Sequence, residues 1–380
     1  PDWAAEDGVC SRCIDYYNVE ILQEQKLLPE IGPFFSVKTA DDFVVLPTAL
    51  RVDANPKYTG KGICICFIDS GFYPHPDLVK NKNRIQKIVD ITQPRTRQSY
   101  FSTPHSESWH GTMTNVVCAG DGYLSNGLYK GIASDASLVL LKVMGADGKI
   151  TTENISKALQ WVLRNHKRYA IRVVNMSLGD DVSGSWKNSQ VDVLAEKLID
   201  KGISIVAAVG NDSQADVRPP ANAPRVIAVG GWDDKNCLDE TPDLYHSSYG
   251  QTADAFHKPE LVANAIWIAA PILPGTTEQA SAISLHALHQ CPDKELLRRI
   301  QTEAAAAGID TKDCEENDVP FWRAKIARRL QESKYISPHY MHADGTSFAA
   351  PIVSSIIAQM LEIQPELTPA EIRKILFSTA

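Results

Sequence analysis

The stretch GICICFIDSG at residues 62–71 is a short, nearly continuous apolar run that ends on an acidic residue, Asp69. A run of this length is typical of a strand that is buried on both faces of a parallel sheet. Cys64 and Cys66 would face the same side of that strand, so we expect both to be free thiols packed in the core. The strand would then place Asp69 at its carboxyl end.

Four further runs of this kind follow, and helical patterns separate them. The runs are SLVLLKVM, RVVNMSL, ISIVAAVG and RVIAVGG, and the intervening segments are HGTMTNVVCAG, TTENISKALQWVLRNH and NSQVDVLAEKLIDKG. The second of these segments has Ile155, Leu159 and Val162 at helical spacing. The alternation predicts an α/β fold with a doubly wound, mostly parallel sheet and helices on both faces. Sites in such folds lie beyond the carboxyl ends of the strands.

Two regions depart from this alternation. Residues 1–60 are interrupted by prolines and predict an N-terminal extension that packs on the main domain, residues 61–380. At about residues 272–342 the alternation gives way to TEQASAISLHALHQ, DKELLRRIQTEAAAAG and FWRAKIARRLQESK. These three segments predict a helical insertion in the main domain.

Composition excludes some classes of function. The chain has 380 residues and a formal net charge of -8, which argues against a nucleic-acid partner. No apolar run approaches the ~18 residues of a membrane span, so we expect none. The chain begins Pro1-Asp2 without methionine, which indicates a processed product. Cys10 and Cys13 form a C-x-x-C pair without a second pair, which favours a structural role over zinc binding.

Four polar residues stand where chemistry would be expected. Asp69 and Asn211 each follow an apolar run, His110 opens a small-residue helix, and Ser347 lies in a Gly-Thr-Ser turn that feeds another helix. Each also has an ordinary interpretation as a turn or helix-start residue. A helix N-terminus disfavours a charged imidazole, which suits His110 to the role of a general base. Pro351 is tolerable only near the first turn of the Ser347 helix.

The order Asp, His, Ser is one that the subtilisins use. The motifs IDSG, HPDL, HGT, GIASDASLVLLKVMGADG, VVNMSLG, AAVGN and GTSFAAPIV together resemble those of subtilisin-like serine proteases, the subtilase family. The resemblance implies a serine endopeptidase with Asp69, His110 and Ser347 as its catalytic triad and Asn211 as an oxyanion donor. It also implies an acyl-enzyme intermediate and no cofactor for catalysis.

The resemblance further implies where a polypeptide substrate binds. Two chain segments would form opposite edges, and small residues would form the floor of a pocket for large uncharged side chains. The first edge is Ser177, Leu178 and Gly179, the second is Gly148, Lys149 and Ile150, and the floor is Ala207, Ala208 and Gly210. A peptide would bind there as an added strand.

Three further expectations remain open. Asp77 in HPDL resembles a ligand of a structural calcium site, although the loop GYLSNGLYKG differs from the familiar one and Lys130 adds a positive charge. An inhibitory pro-segment and secretion are habits of the family. Two alternatives to a protease stay possible, namely a peptide ligase or cyclase that uses the same triad, or a catalytically silent scaffold that binds through the insertion.

Overall fold

The computed structural model describes residues 45–180, 184–238, 242–311 and 318–379. Most of the predicted N-terminal extension, including Cys10 and Cys13, lies outside the described residues. The described strands are β1 (Cys64–Asp69), β2 (Ile85–Asp90), β3 (Ser137–Lys142), β4 (Ile171–Met176), β5 (Ser204–Ala208), β6 (Ile227–Asp233), β7 (Asp243–Leu244), β8 (Gly250–Gln251), β9 (His257–Lys258), β10 (Leu261–Asn264), β11 (Ile268–Pro271) and β12 (Tyr340–Ala343).

Helices connect these strands and cover the sheet. The described α-helices are α1 (Thr48–Arg51), α2 (Pro76–Val79), α3 (Ser108–Ala119), α4 (Thr152–Tyr169), α5 (Gln190–Ile199), α6 (Thr277–Gln290), α7 (Asp293–Glu303), α8 (Val319–Glu332), α9 (Thr346–Ile363) and α10 (Pro369–Thr379). Short 3-10 turns span Gln98–Ser102, Tyr123–Ser125 and Trp186–Asn188.

The central sheet has the order β10-β6-β5-β4-β1-β3-β2 among the described strands, with β7 added to β6. Every pairing along that order is parallel, and only β7 is antiparallel. The chain returns from β2 to β3 on one side of β1 and then adds β4 on the other side. The strand order therefore reverses beside β1, where α/β folds bind their ligands. The predicted fold class is confirmed.

Alternating side chains of β1 join two separate cores. Ile65 and Phe67 point to the face that α3 and α9 cover, whereas Cys66 and Ile68 point to the face that α4 and α5 cover. Cys64 and Cys66 are buried free thiols, and burial raises the pKa of Cys64 to about 11. The sheet is thus buried on both faces, which is why its strands read as continuous apolar runs.

Helix α9 is the long core helix of the first face. Among the described residues, this helix alone has the length and mean hydropathy that a membrane span requires. However, 72% of its apolar window is buried inside the protein. Burial against the sheet therefore accounts for the hydropathy of this helix.

The described part of the predicted extension packs on the main domain. The Arg51 guanidinium donates to both carboxylate oxygens of Asp234 at 2.7 and 2.5 Å, and the Leu46 N–H donates to the Asn236 side chain at 2.8 Å. In the described part of the predicted insertion, α6, α7 and α8 lie between β11 and β12. Their apolar residues form a small core of their own, which includes Leu285, Leu288, Leu296, Ile300, Trp322 and Ile326.

Candidate active site

Asp69 and His110 form a hydrogen-bonded pair at the carboxyl end of β1, in which Asp69 is buried and His110 is partly exposed. Nδ1 of His110 lies 2.7 Å from Oδ1 of Asp69, and Asp69 is only 1% exposed. The Ser70 N–H donates to the same carboxylate oxygen at 2.6 Å, and the Thr114 hydroxyl donates to the other oxygen at 3.2 Å. Three donors therefore hold the carboxylate in one orientation towards the imidazole.

Helix α3 can approach β1 this closely because Gly111 has no side chain. A Cβ at Gly111 would lie 2.3 Å from the Gly71 carbonyl oxygen, which is a forbidden distance, and 3.0 Å from Asp69 Cβ, which is a tight one. The helix begins at Ser108, two residues before the predicted start. His110 is consequently inside the first turn, where its ring can face back to Asp69.

The electrostatic environment of His110 differs from the sequence-based expectation. Burial lowers the pKa of His110, but the nearby Asp69 carboxylate raises it, and the pKa is raised overall. The helix dipole argument predicted that a charged imidazole would be disfavoured. That prediction was wrong for the net effect, because a negative charge at hydrogen-bond distance outweighs the helix terminus. The nearby carboxylate therefore favours the protonated form of the imidazole.

Ser347 is the second residue of α9, directly after a strained turn. Gly345 has φ of +133°, a conformation that residues with a side chain rarely adopt. Within the first turn, the Thr346 N–H donates to the Asn211 side-chain oxygen at 2.8 Å and the Phe348 N–H donates to the Gly345 carbonyl at 3.0 Å. The Ser347 hydroxyl donates to the Ser177 carbonyl at 3.4 Å.

Pro351 lies deeper in α9 than predicted. It is the sixth residue of the helix, in its second turn, where proline removes the N–H that would bind the carbonyl of Ser347. The Ser177 hydroxyl replaces that donor and lies 2.8 Å from the Ser347 carbonyl oxygen. The prediction that Pro351 would lie near the first turn was therefore wrong. Proline is tolerated in the second turn because the Ser347 carbonyl, which lacks its helical donor, accepts a hydrogen bond from the Ser177 hydroxyl.

Ser177 is itself held by a buried amide. Asn175, at the end of β4, donates from Nδ2 to the Ser177 hydroxyl at 3.0 Å and accepts from the Ser354 hydroxyl at 2.9 Å. Asn175 and Ser354 are fully buried. A chain of hydrogen bonds therefore links the end of β4 to both the first and the third turn of α9.

Asn211 lies against the same turn. Its Oδ1 accepts from the backbone N–H of Thr346 at 2.8 Å and from the Thr346 hydroxyl at 2.9 Å. Its Nδ2 is 3.5 Å from the Cβ position that Gly345 leaves vacant. Because the oxygen takes both bonds from Thr346, the orientation of the amide is fixed, and the NH₂ group is the part that can donate to a ligand.

A cleft of about 400 Å³ opens beside the Asp69–His110 pair. Its lining comprises Asp69, Ser70, Ser106, Glu107, Trp109, His110, Met144, Ile150, Ser177, Leu178 and Gly179. The lining includes two of the three triad candidates, Asp69 and His110. It also includes the three residues predicted for the first substrate edge. Ile150 of the second edge also belongs to it, and an antiparallel bridge joins Ile150 to Met144.

Several predicted substrate residues lie elsewhere, and several lining residues were missed. Among the described residues, the lining of this cleft does not include Gly148, Lys149, Ala207, Ala208 or Gly210. Ala207 is fully buried in the core on the α5 side of the sheet, which accounts for its position outside the cleft. The missed residues were Ser70, Ser106, Glu107, Trp109 and Met144. The nearness of three of them to His110 in the sequence was the available signal.

The surroundings of Asp77 do not fit a calcium site. Its Oδ1 accepts from the Leu124 N–H at 3.1 Å, and its Oδ2 accepts from the hydroxyl of Tyr340 on β12. The buried Arg84 guanidinium donates to the Asp77 carbonyl oxygen at 2.6 Å. A calcium ion needs six to eight oxygen ligands, yet the described residues contain no group of three or more His, Cys, Asp or Glu side chains that could hold a metal.

The chain is similar to known proteins over most of its length. It is 29% identical to serine protease AprX of Bacillus subtilis (strain 168) over 329 residues, which cover 84% of this chain and 61% of that protein. It is 29% identical to subtilisin BL of Lederbergia lenta over 182 residues, which cover 48% of this chain and 60% of that protein. The chain thus spans about three fifths of the length of these two relatives.

Solved structures and family models give the same assignment. A cold-adapted subtilisin-like serine proteinase superposes with a TM-score of 0.51 at 20% identity, covering 86% of this chain and 85% of that one, which is a likeness of fold. The sequence model of the subtilase family matches residues 60–380. That match takes in all of the central sheet and all four candidate catalytic positions, and the chain belongs to the subtilase family.

Proposed function

We propose that the protein is a serine endopeptidase that cleaves extended polypeptides. The observation that carries this proposal is the 2.7 Å contact between His110 Nδ1 and Asp69 Oδ1 on a cleft that Ser177 also lines, and Ser177 is hydrogen-bonded to Ser347. Family membership and the serine proteases among its relatives support the same activity. No cofactor is required for the chemistry that these side chains can perform.

The proposed reaction begins with attack of the Ser347 hydroxyl on the carbonyl carbon of the scissile bond. A serine hydroxyl is a weak nucleophile, so Nε2 of His110 removes its proton as the bond forms. Asp69 keeps the other ring proton on Nδ1 and stabilises the imidazolium. His110 then gives the proton to the departing amine, and an acyl-enzyme on Ser347 remains. Water, activated by His110, hydrolyses that ester.

The tetrahedral intermediate carries a negative oxygen that must be stabilised. We assign this role to the Asn211 NH₂ group and to the backbone N–H of Ser347 in the first turn of α9. The two bonds from Thr346 to the Asn211 oxygen orient the amide before substrate arrives. Donors that are already oriented need no reorganisation in the transition state, which is why they contribute strongly to catalysis.

The substrate is proposed to lie in the cleft as an extended strand between Leu178 and Ile150. Small and exposed backbone at Gly179 leaves room for main-chain hydrogen bonds from a peptide. Gly148 and Lys149 would extend the second edge, and Ala207, Ala208 and Gly210 would contribute the floor beyond the described cleft. Secretion and control by an inhibitory pro-segment are further parts of this proposal, taken from the habits of the family.

A fluorophosphonate probe and casein test the proposal together with the variant Ser347→Ala. We expect the probe to label the protein, the label to vanish in the variant, and casein to be degraded only by the unaltered protein. Labelling accompanied by joined peptides instead of cleaved ones would identify a ligase or cyclase. No labelling of a folded protein that has a free active site would identify a silent scaffold.

A further inference from the structure

The cleft wall beside His110 carries a carboxylate that the proposed reaction does not use. Glu107 lines the same cleft as Asp69 and His110 and precedes the first residue of α3. It is half-buried, and no part of the acyl-transfer chemistry requires an acid at this position. A charged side chain on the wall of a substrate cleft is a candidate determinant of specificity.

Three hydrogen bonds hold Glu107 in place, and Gly71 packs closely against it. Its backbone carbonyl accepts from the Ser70 hydroxyl at 2.8 Å, and its Cγ lies 2.9 Å from where a Cβ of Gly71 would be. Its Oε1 accepts from the Tyr100 hydroxyl at 2.5 Å, and its Oε2 accepts from the Ser106 hydroxyl at 3.4 Å. A carboxylate can accept about four hydrogen bonds, so these hydroxyls leave acceptor capacity on both oxygens.

Glu107 is ionised at neutral pH. Burial raises the pKa of Glu107, but the Tyr100 hydrogen bond and the positive charge of Lys142 lower it, and the pKa is lowered overall. Lys142 does not cancel this charge, because its ammonium donates to the Met144 carbonyl at 2.6 Å and lies 3.4 Å from Asp90. Two acidic residues therefore line the cleft, of which Asp69 is paired with His110.

Other charged or aromatic groups near the cleft do not oppose a cation. His105 stacks on the Tyr100 ring at 4.0 Å, and its Nε2 lies 3.0 Å from the Tyr100 carbonyl oxygen. Lys149 is exposed and, within the described chain, outside the lining of the cleft. Trp109 is 49% exposed and part of the lining, so it offers an aromatic surface to an aliphatic stem or a cation.

We propose that Glu107 makes the protein select a lysine or arginine side chain at one substrate position next to the scissile bond. The inference rests on the proposed endopeptidase function and names a substrate class for it. Successive side chains of an extended peptide point in opposite directions, so one of them faces the His110 wall, where Glu107 accepts hydrogen bonds from its cationic group. The preference for large uncharged side chains concerns a different position.

Peptide substrates that differ at one position test this selection. Each position near the scissile bond carries arginine in one substrate and citrulline, its neutral isostere, in the other, and kcat/KM is measured for both. At one position we expect the unaltered protein to prefer arginine by about fivefold to tenfold at low ionic strength, and less in high salt. The arginine-to-citrulline ratio should fall to about one in Glu107→Gln, which retains an acceptor for Tyr100.

A matched variant controls for the change in net charge. Glu332 is paired with Arg328 on the helical insertion, so Glu332→Gln removes the same charge away from the cleft and should leave the ratio unchanged. Thermal unfolding of both variants checks that each is folded. Two outcomes would overturn the proposal. One is an arginine-to-citrulline ratio near one at every position in the unaltered protein, and the other is a preference for arginine that is unchanged in Glu107→Gln.

A binding measurement separates this proposal from the proposed function. In Ser347→Ala protein, which cannot form an acyl-enzyme, fluorescence anisotropy should show tighter binding of the arginine peptide than of the citrulline peptide. The difference should vanish when Glu107→Gln is added. If the probe labels the protein and casein is cleaved, but the arginine and citrulline peptides bind equally well, the endopeptidase function is supported and the role of Glu107 is refuted. If the arginine peptide binds more tightly but the probe does not label the protein, the role of Glu107 is supported and the endopeptidase function is refuted.

Discussion

Asp69 and His110 meet at the carboxyl end of β1 with 2.7 Å between Oδ1 and Nδ1, although 41 positions separate them in the sequence. The Asp69 carboxylate also accepts from the Ser70 N–H and the Thr114 hydroxyl, so it cannot turn away from the ring. A carboxylate in this position requires the proton on Nδ1. The lone pair of the imidazole then lies on Nε2, which is the atom that a general base needs.

Asp69→Asn should therefore lower kcat strongly while the protein remains folded. An asparagine can donate to Nδ1 and so favour the wrong tautomer, which in serine proteases costs about 10⁴-fold in kcat. Steady-state kinetics on a fluorogenic peptide, normalised by active-site titration, measure the loss. Thr114→Val serves as a control, because it removes one bond to Asp69 but keeps its charge, and it should cost less than about tenfold. A loss in Asp69→Asn no larger than that of the control would contradict the assignment.

The raised pKa of His110 predicts the acidic limb of the pH profile. Only neutral His110 can accept the Ser347 proton, so kcat/KM should fall as the pH drops through the pKa of His110. Because Asp69 raises that pKa above its ordinary value of 6.5, half of the activity should be lost at a pH above 6.5. In Asp69→Asn the limb should move to lower pH. A limb centred below 6.5 that does not move in the variant is the opposite outcome.

Asn211→Ala should lower kcat by about 10²–10³-fold and leave KM nearly unchanged, since the amide would act only on the oxyanion. Asn211→Asp is informative because it keeps the size and the acceptor for Thr346 but cannot donate. We expect both variants to be equally impaired. The neighbouring Asp212→Asn is a suitable control and should retain activity within about twofold. An active Asn211→Asp would show that donation from this side chain is unnecessary.

Much of the fold could be predicted because the sheet is buried on both faces. β1 and β3 to β6 each contain an apolar run in the sequence, since most of their side chains are buried. β2 was missed because it is an edge strand. In Ile85–Asp90 only Ile88 and Asp90 are buried, so the pattern IQKIVD carries no clear apolar period. This strand was therefore not predicted because it is only partly buried, and not because it is short.

The residues of the candidate site likewise fall into those that a local sequence pattern predicts and those that it does not. Asp69, Asn211 and Ser347 could be proposed from the sequence because each directly follows a strand or begins a helix. By contrast, Glu107 reaches the cleft only because α3 begins at Ser108, and Tyr340 reaches Asp77 from 263 residues away. Contacts of that kind depend on how α3 and β12 pack, which no local pattern records.

The Ser177–Ser347 bond predicts a coupling with Pro351. Ser177→Ala leaves the Ser347 carbonyl and the buried Asn175 amide without a partner, so we expect a loss of about 1–3 kcal/mol in the free energy of unfolding. Pro351→Ala restores an N–H four residues after Ser347. The double variant should therefore lose less than the sum of the two single variants, as measured by urea unfolding. Strict additivity would mean that the hydroxyl does not replace the missing helical bond.

Asp77 predicts an unusual dependence of stability on pH. Burial raises the pKa of Asp77 to about 6, against the hydrogen bonds from Tyr340 and Leu124, which lower it. The folded protein therefore holds this proton more tightly than the unfolded chain does. The stability that Asp77 contributes is complete below its ordinary value of 3.8 and is lost as the pH rises through about 6.

Asp77→Asn removes this titration while keeping an acceptor for the Leu124 N–H. Relative to the unaltered protein, we expect the free energy of unfolding of the variant to improve by roughly 1–3 kcal/mol between pH 4 and pH 7, because one pKa unit corresponds to ~1.4 kcal/mol. Urea unfolding at several pH values, with calcium and with a chelator, measures it. Calcium should not change the difference, since protein donors already occupy both Asp77 oxygens. A difference that is constant with pH would show that the pKa of Asp77 is not raised, and one that calcium reverses would show that Asp77 is a metal ligand.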